Sequence, residues 1–113
     1  MSEPRFTDDD RERVYSDFSD GVNMTAKELA GWLETGESKA VGEGAGESKG
    51  HRSGRRIVEL LGKSKGDLTR SDYDHMRRVN GYISRHLAQR PRGDVEDSAW
   101  RHSLMNWGHD PLK

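Results

Sequence analysis

The stretch that decides the fold lies at residues 69–91 and reads TRSDYDHMRRVNGYISRHLAQRP. Thr69 can cap a helix there, because its hydroxyl can accept a backbone N–H three positions on while Asp72 returns the bond as a capping box. Asp72 and Asp74 put negative charge at the helix start, where the helix dipole favours it. Pro91 ends the helix because it has no N–H to donate. The stretch therefore predicts the longest helix of the chain, with the densest set of cations.

This predicted helix has two stripes when its residues are placed at about 100° each. The first stripe is apolar and is the predicted core seam: Tyr73, Met76, Val79, Asn80, Ile83 and Leu87. The second stripe lies beside it and is polar: His75, Arg78, Tyr82, Arg85, His86 and Gln89. That second stripe is either a phosphate-contacting face or a solvated helix side. Gly81, in line with Ala88, indicates either close approach of another backbone or a tolerated glycine.

Two further helices are predicted upstream from their capping residues. Thr7 caps the first, with Asp10 as its capping-box partner, and Gly21 ends it. Thr25 caps the second, with Glu28 as partner. The apolar residues of both helices recur at helical spacing, which indicates that each buries one face.

A third helix is predicted at residues 52–61, and a last one follows the long helix, with Asp94 as its cap. Trp100, Leu104 and Trp107 form one face of this last helix. We expect that face to pack on the apolar stripe of the long helix as one core, because only a short link joins the two helices. The fold class is therefore all-α, a small bundle of about five helices.

Residues 36–54 read GESKAVGEGAGESKGHRSG and predict a flexible Gly-rich loop between the second and third helices. The loop has no GxxxxGK[ST] pattern and follows no strand, so it is not a P-loop. We expect residues 1–6 to be disordered. A chain of this length can build only one hydrophobic core. We therefore predict that residues 1–113 form a single helical domain.

The charge is distributed unevenly along a chain whose net charge is only −1. Residues 1–50 hold six Lys/Arg and twelve Asp/Glu, whereas residues 51–113 hold thirteen and eight. A basic second half indicates an anionic partner. Alternatively, the acidic half packs against the basic half and neutralises it. A continuous positive surface would favour the first interpretation, and neutralisation by residues 1–20 the second.

Several classes of protein find no support in the sequence. The chain has no Cys, hence no disulfide or thiolate metal site, and no apolar run long enough for a membrane span. No signal peptide is recognisable in the first residues, so we expect a cytoplasmic protein without membrane attachment. HExxH does not occur, and the serines lie mostly at predicted helix caps or in loops. We therefore expect no enzyme activity, no metal site and no small-molecule cofactor.

Four segments together resemble the DUF3140 family of small uncharacterised proteins: residues 25–42 (TAKELAGWLETGESKAVG), 50–61 (GHRSGRRIVELL), 72–91 (DYDHMRRVNGYISRHLAQRP) and 100–113 (WRHSLMNWGHDPLK). The resemblance covers about residues 14–113 and departs from the family pattern in the extra glycines at 42–46. Members of the family are often labelled DNA-binding. The resemblance therefore implies a related fold and a nucleic-acid partner, and it supplies no catalytic residues.

The first functional hypothesis is a nucleic-acid-binding accessory protein that contacts the phosphates of DNA or RNA non-specifically through a basic face of residues 52–92. Its candidate contact residues are Arg52, Arg55, Arg56, Lys63, Lys65, Arg77, Arg78, Arg85, His86, Arg90 and Arg92. The alternative is a protein-interaction or stress-associated helical module that binds no nucleic acid. It rests on the acidic first half and the small apolar content, since such domains often gain stability by association.

Overall fold

Six α-helices make up the part of the chain that the computed structural model describes, residues 6–41 and 49–113. They are α1 (Asp8–Gly21), α2 (Ala26–Leu33), α3 (Gly36–Ala40), α4 (Lys49–Leu61), α5 (Arg70–Leu87) and α6 (Ala99–Asn106), with a 3₁₀ turn at Lys65–Asp67 between α4 and α5. No strand occurs in these residues, which confirms the predicted all-α class. None of these helices has the length and apolar character that crossing a membrane requires.

Three predicted helix starts are confirmed as complete capping boxes: Thr7 with Asp10 at α1, Thr25 with Glu28 at α2, and Thr69 with Asp72 at α5. In each, the threonine hydroxyl accepts the backbone N–H three residues on, and the acidic side chain accepts the threonine N–H. Losing such a cap costs a helix about 1 kcal/mol. These motifs are local in sequence, so their geometry follows from a few neighbouring residues.

The predicted start of the last helix is wrong. Ser98, not Asp94, caps α6, and its hydroxyl accepts the backbone N–H of Arg101 at 3.1 Å. Asp94 instead accepts the N–H of Glu96 at 2.9 Å in a short turn. Val95 between them is buried in the core, and this holds the preceding residues in a non-helical conformation.

The predicted loop at residues 36–54 is helical at both ends. Thr35 caps the short helix α3, and α4 begins at Lys49, three residues before the predicted start. Residues 42–48, the glycine-richest part of the predicted loop, lie outside the described residues. So do residues 1–5 of the segment expected to be disordered, whereas Phe6 contacts the ring of Tyr73, with centroids 5.6 Å apart and planes tilted by 56°.

Two helix pairs, α1 with α5 and α2 with α4, are joined by α6, which contacts α2, α4 and α5. A single core runs through all of them and includes the buried faces of α5 and α6. The expected common core is thus confirmed for Met76, Val79 and Ile83 together with the Trp face of α6. Leu87 is the exception, because it is the last residue of α5 and 38% of its surface is exposed.

Gly54 allows α4 to approach α6 and α2 closely. A Cβ at this position would lie 2.5 Å from the backbone oxygen of Asn106 and 2.7 Å from Cδ2 of Leu33. No side chain fits at such distances without moving a backbone. The first turns of α4 are therefore pressed against the C-terminal end of α6, and this contact forms one side of the site described next.

Candidate functional site

A concave surface of about 1260 Å³ lies between α4 and α5, with the C-terminal half of α6 as its floor. We call it the basic cleft, after the six cations that line it: Lys49, Arg52 and Arg56 on α4, and Arg77, Arg78 and Arg85 on α5. Among the described residues that line it, none is acidic. The remaining lining groups are neutral and include hydroxyls, an amide and aromatic rings.

Two contacts across the cleft fix how its walls are oriented. The guanidinium of Arg56 donates to the hydroxyl of Ser71 at 2.8 Å, and the hydroxyl of Ser53 lies 3.0 Å from Nε2 of His75. Later residues of α4 therefore face earlier residues of α5, so the two helices are antiparallel. Extending this register places the first turn of α4 beside the second half of α5.

The cations form two rows, one on each wall of the cleft, which overlap along part of their length. Lys49, Arg52 and Arg56 recur at i, i+3 and i+7, which puts them on one side of α4. Arg78 and Arg85 are seven residues apart, two turns along α5. At about 1.5 Å per residue, each row is about 10 Å long. Four of these five side chains are exposed, and Arg56 is half-buried.

The floor of the cleft continues into a stack of five aromatic rings between α5 and α6. In order, the rings belong to His75, Trp107, Tyr82, His86 and Trp100, with successive centroids 6.4, 4.2, 5.0 and 6.2 Å apart and planes within 18° of parallel. Three residues of the predicted polar stripe of α5, His75, Tyr82 and His86, are therefore packed against other rings. Only the arginines of that stripe line the cleft as cations.

The polar groups of the floor are satisfied within the protein. The hydroxyl of Tyr82 shares a 2.6 Å hydrogen bond with that of Ser103. The side-chain oxygen of the buried Asn106 accepts from the indole of Trp32 at 2.8 Å and from the hydroxyl of Ser38 at 2.5 Å, and its NH₂ donates to the backbone oxygen of Ser38 at 3.0 Å. These bonds hold α3 and α6 together beneath the cleft.

His75 is a neutral group at the base of a positively charged site. Burial lowers its pKa from the usual 6.5, and the positive charges of Arg56 and Arg78 lower it further. A hydrogen bond with the backbone of Ser53 and the charge of Asp72 act in the opposite direction and do not cancel these effects. The imidazole therefore carries no charge near pH 7 while cations stand on both walls around it.

Five of the eleven residues predicted to contact phosphates line the cleft: Arg52, Arg56, Arg77, Arg78 and Arg85. Of these, Arg56 also pairs with the buried Asp72 of α5, since its Nη2 lies 3.6 Å from Oδ1 of that residue. Two predicted residues outside the cleft are engaged with acidic side chains as well. Lys63 donates to the buried Asp72 at 2.7 Å, and Lys65 lies 2.5 Å from Glu12 of α1. Glu12, within residues 1–20, therefore neutralises Lys65, as one interpretation of the sequence predicted. No acidic residue of α1 lines the cleft, however.

The remaining predicted residues lie elsewhere. His86 is part of the ring stack, burial lowers its pKa, and its Nε2 has no hydrogen-bond partner. The guanidinium of Arg90 lies 5.5 Å from the ring centroid of Trp100. Arg55 is exposed on α4 and Arg92 is exposed beyond the end of α5, and neither is among the residues that line the cleft.

Lys49 also lines the cleft. It is not among the predicted contact residues, because it lies inside the predicted loop. Its spacing of three residues from Arg52 was the available signal for an earlier helix start. The structure also shows what lies over Gly81, for which the sequence left two interpretations open. The guanidinium of Arg85, not another backbone, lies over it, and a Cβ there would be 3.0 Å from Nη1.

No group of three or more His, Cys, Asp or Glu side chains within residues 6–41 and 49–113 is arranged to hold a metal ion. The model of one family, DUF3140: Protein of unknown function (DUF3140), matches residues 17–105. Neither a curated protein nor a solved structure matches the chain. The matched range includes both walls of the basic cleft and, of its floor, Ser103 but not Asn106 or Trp107.

Proposed function

The chain belongs to the DUF3140 family, whose description assigns no activity, and from the geometry of its own residues we propose that it is a nucleic-acid-binding accessory protein that holds phosphates in the basic cleft. The observation that carries this proposal is a row of cations on each wall of a cleft whose described lining includes no acidic side chain, with Asp72, outside that lining, 3.6 Å from Arg56.

A concave site lined by several cations attracts anions. Like charges on facing walls repel one another, and a concave site concentrates their field. An anionic ligand removes this repulsion and gains charge-assisted hydrogen bonds. Arginine suits a phosphate group in particular, because its planar guanidinium can donate two parallel N–H bonds to two oxygens. Most cations of the cleft are arginines, with Lys49 as the exception.

The contacts available in the cleft favour phosphate over base. Reading a base requires a free hydrogen-bonding edge or a free ring face. The side-chain oxygen of Asn106 accepts from both Trp32 and Ser38 and one of its two N–H groups donates to Ser38, while Tyr82 has a ring stacked on each of its sides. Phosphate contacts without base contacts give affinity and no sequence discrimination. We therefore expect binding that is independent of sequence and weakens with salt.

A protein-interaction module is the second candidate, and the end of α1 favours it. Asp17 and Asp20 are exposed in or near the last turn of α1, which has no basic residue. Carboxylates are unfavourable at the negative end of a helix dipole, so a cationic partner would stabilise this end. Light scattering separates the candidates. A monomer that binds DNA supports the first, and an oligomer without affinity for nucleic acid supports the second.

The direct test is fluorescence anisotropy with labelled DNA at two salt concentrations. Arg78→Ala combined with Arg85→Ala should weaken binding by about tenfold or more, since each lost charge-assisted bond is worth roughly 1.5–3 kcal/mol. Lys27→Ala combined with Arg13→Ala is the matched control, because it removes two exposed charges that neither line the cleft nor belong to the predicted contact residues. Absence of binding by the parent protein at the lower salt concentration would overturn the proposal.

A further inference from the structure

The walls of the basic cleft are very close at their base. Trp107 bridges them, since its ring stacks on Tyr82 of α5 while a Cβ at Gly50 of α4 would lie only 3.1 Å from its Nε1. Farther along, Ser53 of α4 and His75 of α5 lie within 3.0 Å of each other. The cleft is thus about one indole ring wide at its floor and opens outward between the two cationic rows.

A nucleic-acid duplex is too wide for such a cleft. The major groove alone, about 12 Å wide, accommodates an α-helix with its side chains, so the whole duplex is wider than either wall of the cleft. A duplex can only rest on the outer rims. A single phosphodiester strand is slim enough to lie between the rows, where cations of α4 and α5 reach it from both sides.

The ring stack decides where the bases of such a strand would lie. Grooves that bind single strands commonly stack bases on free aromatic faces. Here Tyr82 has His86 on one side and Trp107 on the other, and Trp107 also stacks with His75. Trp107 is moreover only 9% exposed. The floor therefore presents no free ring for stacking, and the strand must be held by its backbone.

We propose, building on the proposed function, that the basic cleft holds one single strand of DNA or RNA by its phosphates, with the bases directed to solvent. The strand lies between the row that begins at Lys49 and the row that ends at Arg85. A duplex of equal length contacts only the rims and binds more weakly.

The test compares three labelled probes at one low salt concentration. They are a mixed-sequence 12-nucleotide single strand, the corresponding duplex, and an abasic strand with the same number of phosphates. We expect the single strand to bind at least about tenfold more tightly than the duplex, and the abasic strand to bind within about twofold of the normal one. Binding of the duplex that equals or exceeds that of the strand would overturn this inference and leave the proposed function intact.

Two other outcomes would each contradict a separate part of the account. A tenfold loss with the abasic strand would overturn the outward orientation of the bases, and failure of every probe to bind would overturn the proposed function as well. A charge variant on each wall adds a check on the position of the strand. Lys49→Ala and Arg85→Ala should each weaken strand binding severalfold, whereas Lys27→Ala, outside the cleft, should leave it unchanged. Circular dichroism confirms that each variant is folded.

Discussion

Trp107, the residue that caps the C-terminal end of α6, stacks on Tyr82 of α5 with ring centroids 4.2 Å apart and planes 12° from parallel. This pair is the closest contact in the ring stack, and it lies directly beneath the cationic rows. It connects stability to function, because the same ring that fills the α5–α6 interface also sets the spacing between α4 and α5.

Replacing Trp107 should therefore affect folding first. Trp107→Ala removes a buried indole and should cost roughly 3–5 kcal/mol, a large part of the roughly 5–10 kcal/mol that a domain of this size has in total. We expect the melting temperature to fall sharply in a thermal scan followed by circular dichroism. Arg78→Ala combined with Arg85→Ala should leave it nearly unchanged. A Trp107→Ala protein as stable as its parent would make the C-terminal segment a surface element and not part of the core.

Two helical glycines should respond to alanine in opposite directions. Gly81→Ala should stabilise the protein by up to about 1 kcal/mol, because alanine is the better helix former and the nearest obstacle is the flexible end of Arg85. Gly54→Ala should destabilise it, because the new Cβ would meet the backbone oxygen of Asn106 at 2.5 Å. Chemical denaturation of both variants measures the difference. Equal effects of the two substitutions would contradict the close approach of α4 to α6.

Asp72 should make stability depend on pH in the acidic range. The hydrogen bond from Lys63 and that from the backbone N–H of Thr69 lower its pKa from 3.8 to about 2. Because the folded pKa is the lower one, the carboxylate stabilises the fold fully above about pH 4, and this stabilisation is lost as pH falls toward 2. The shift corresponds to roughly 2 kcal/mol.

Denaturation curves recorded between pH 2 and 7 test this linkage, with Asp72→Asn as the comparison. The variant should be less stable at pH 7 and should lose less stability than the parent between pH 4 and 2. Parallel curves for the two proteins over that range would show that Asp72 does not carry the effect.

The anion site and the ionisation of His75 should be coupled. The imidazole faces Arg56 on α4 and Arg78 on its own helix, with Asp72 as the nearby acid, and its pKa is below 6.5 in the free protein. A bound phosphate would offset the arginine charges and raise that pKa, so binding would take up a proton. Affinity should therefore increase as pH falls through the pKa that His75 has in the complex.

Titration of the histidine NMR signals with and without a single-stranded oligonucleotide measures this coupling. We expect the pKa of His75 to rise when the strand is bound, and His75→Gln to remove that part of the pH dependence of binding. A pKa that is unchanged or lower in the complex would place the phosphates away from the base of the cleft.

The sequence predicts the fold well wherever a signal is local. The capping boxes at Thr7, Thr25 and Thr69 depend on residues three positions apart, and all three are present. The cap of α6 could not be predicted in this way. Asp94 and Ser98 are both good capping residues, and the choice between them depends on burial of Val95 against residues distant in sequence.

The sequence predicts the positive charge of the candidate site but not its concave shape. Its geometry depends on α6, whose two tryptophans interleave with His75, Tyr82 and His86. One signal was present in the sequence, because Trp100 and Trp107 are seven residues apart, as are His75 and Tyr82. Equal spacing of rings on two neighbouring helices allows them to interdigitate, but the helical pattern alone does not say which two stripes meet.

The central claim is that nucleic acid lies between α4 and α5, and NMR chemical-shift mapping tests it most directly. ¹⁵N-labelled protein is titrated with an unlabelled 12-nucleotide single strand at low salt. The account predicts that the largest backbone shifts occur on the two walls and the floor, at Lys49, Gly50, Arg78, Gly81, Arg85 and Ser103. Largest shifts on α1 or α2, or no shifts at all, would contradict it.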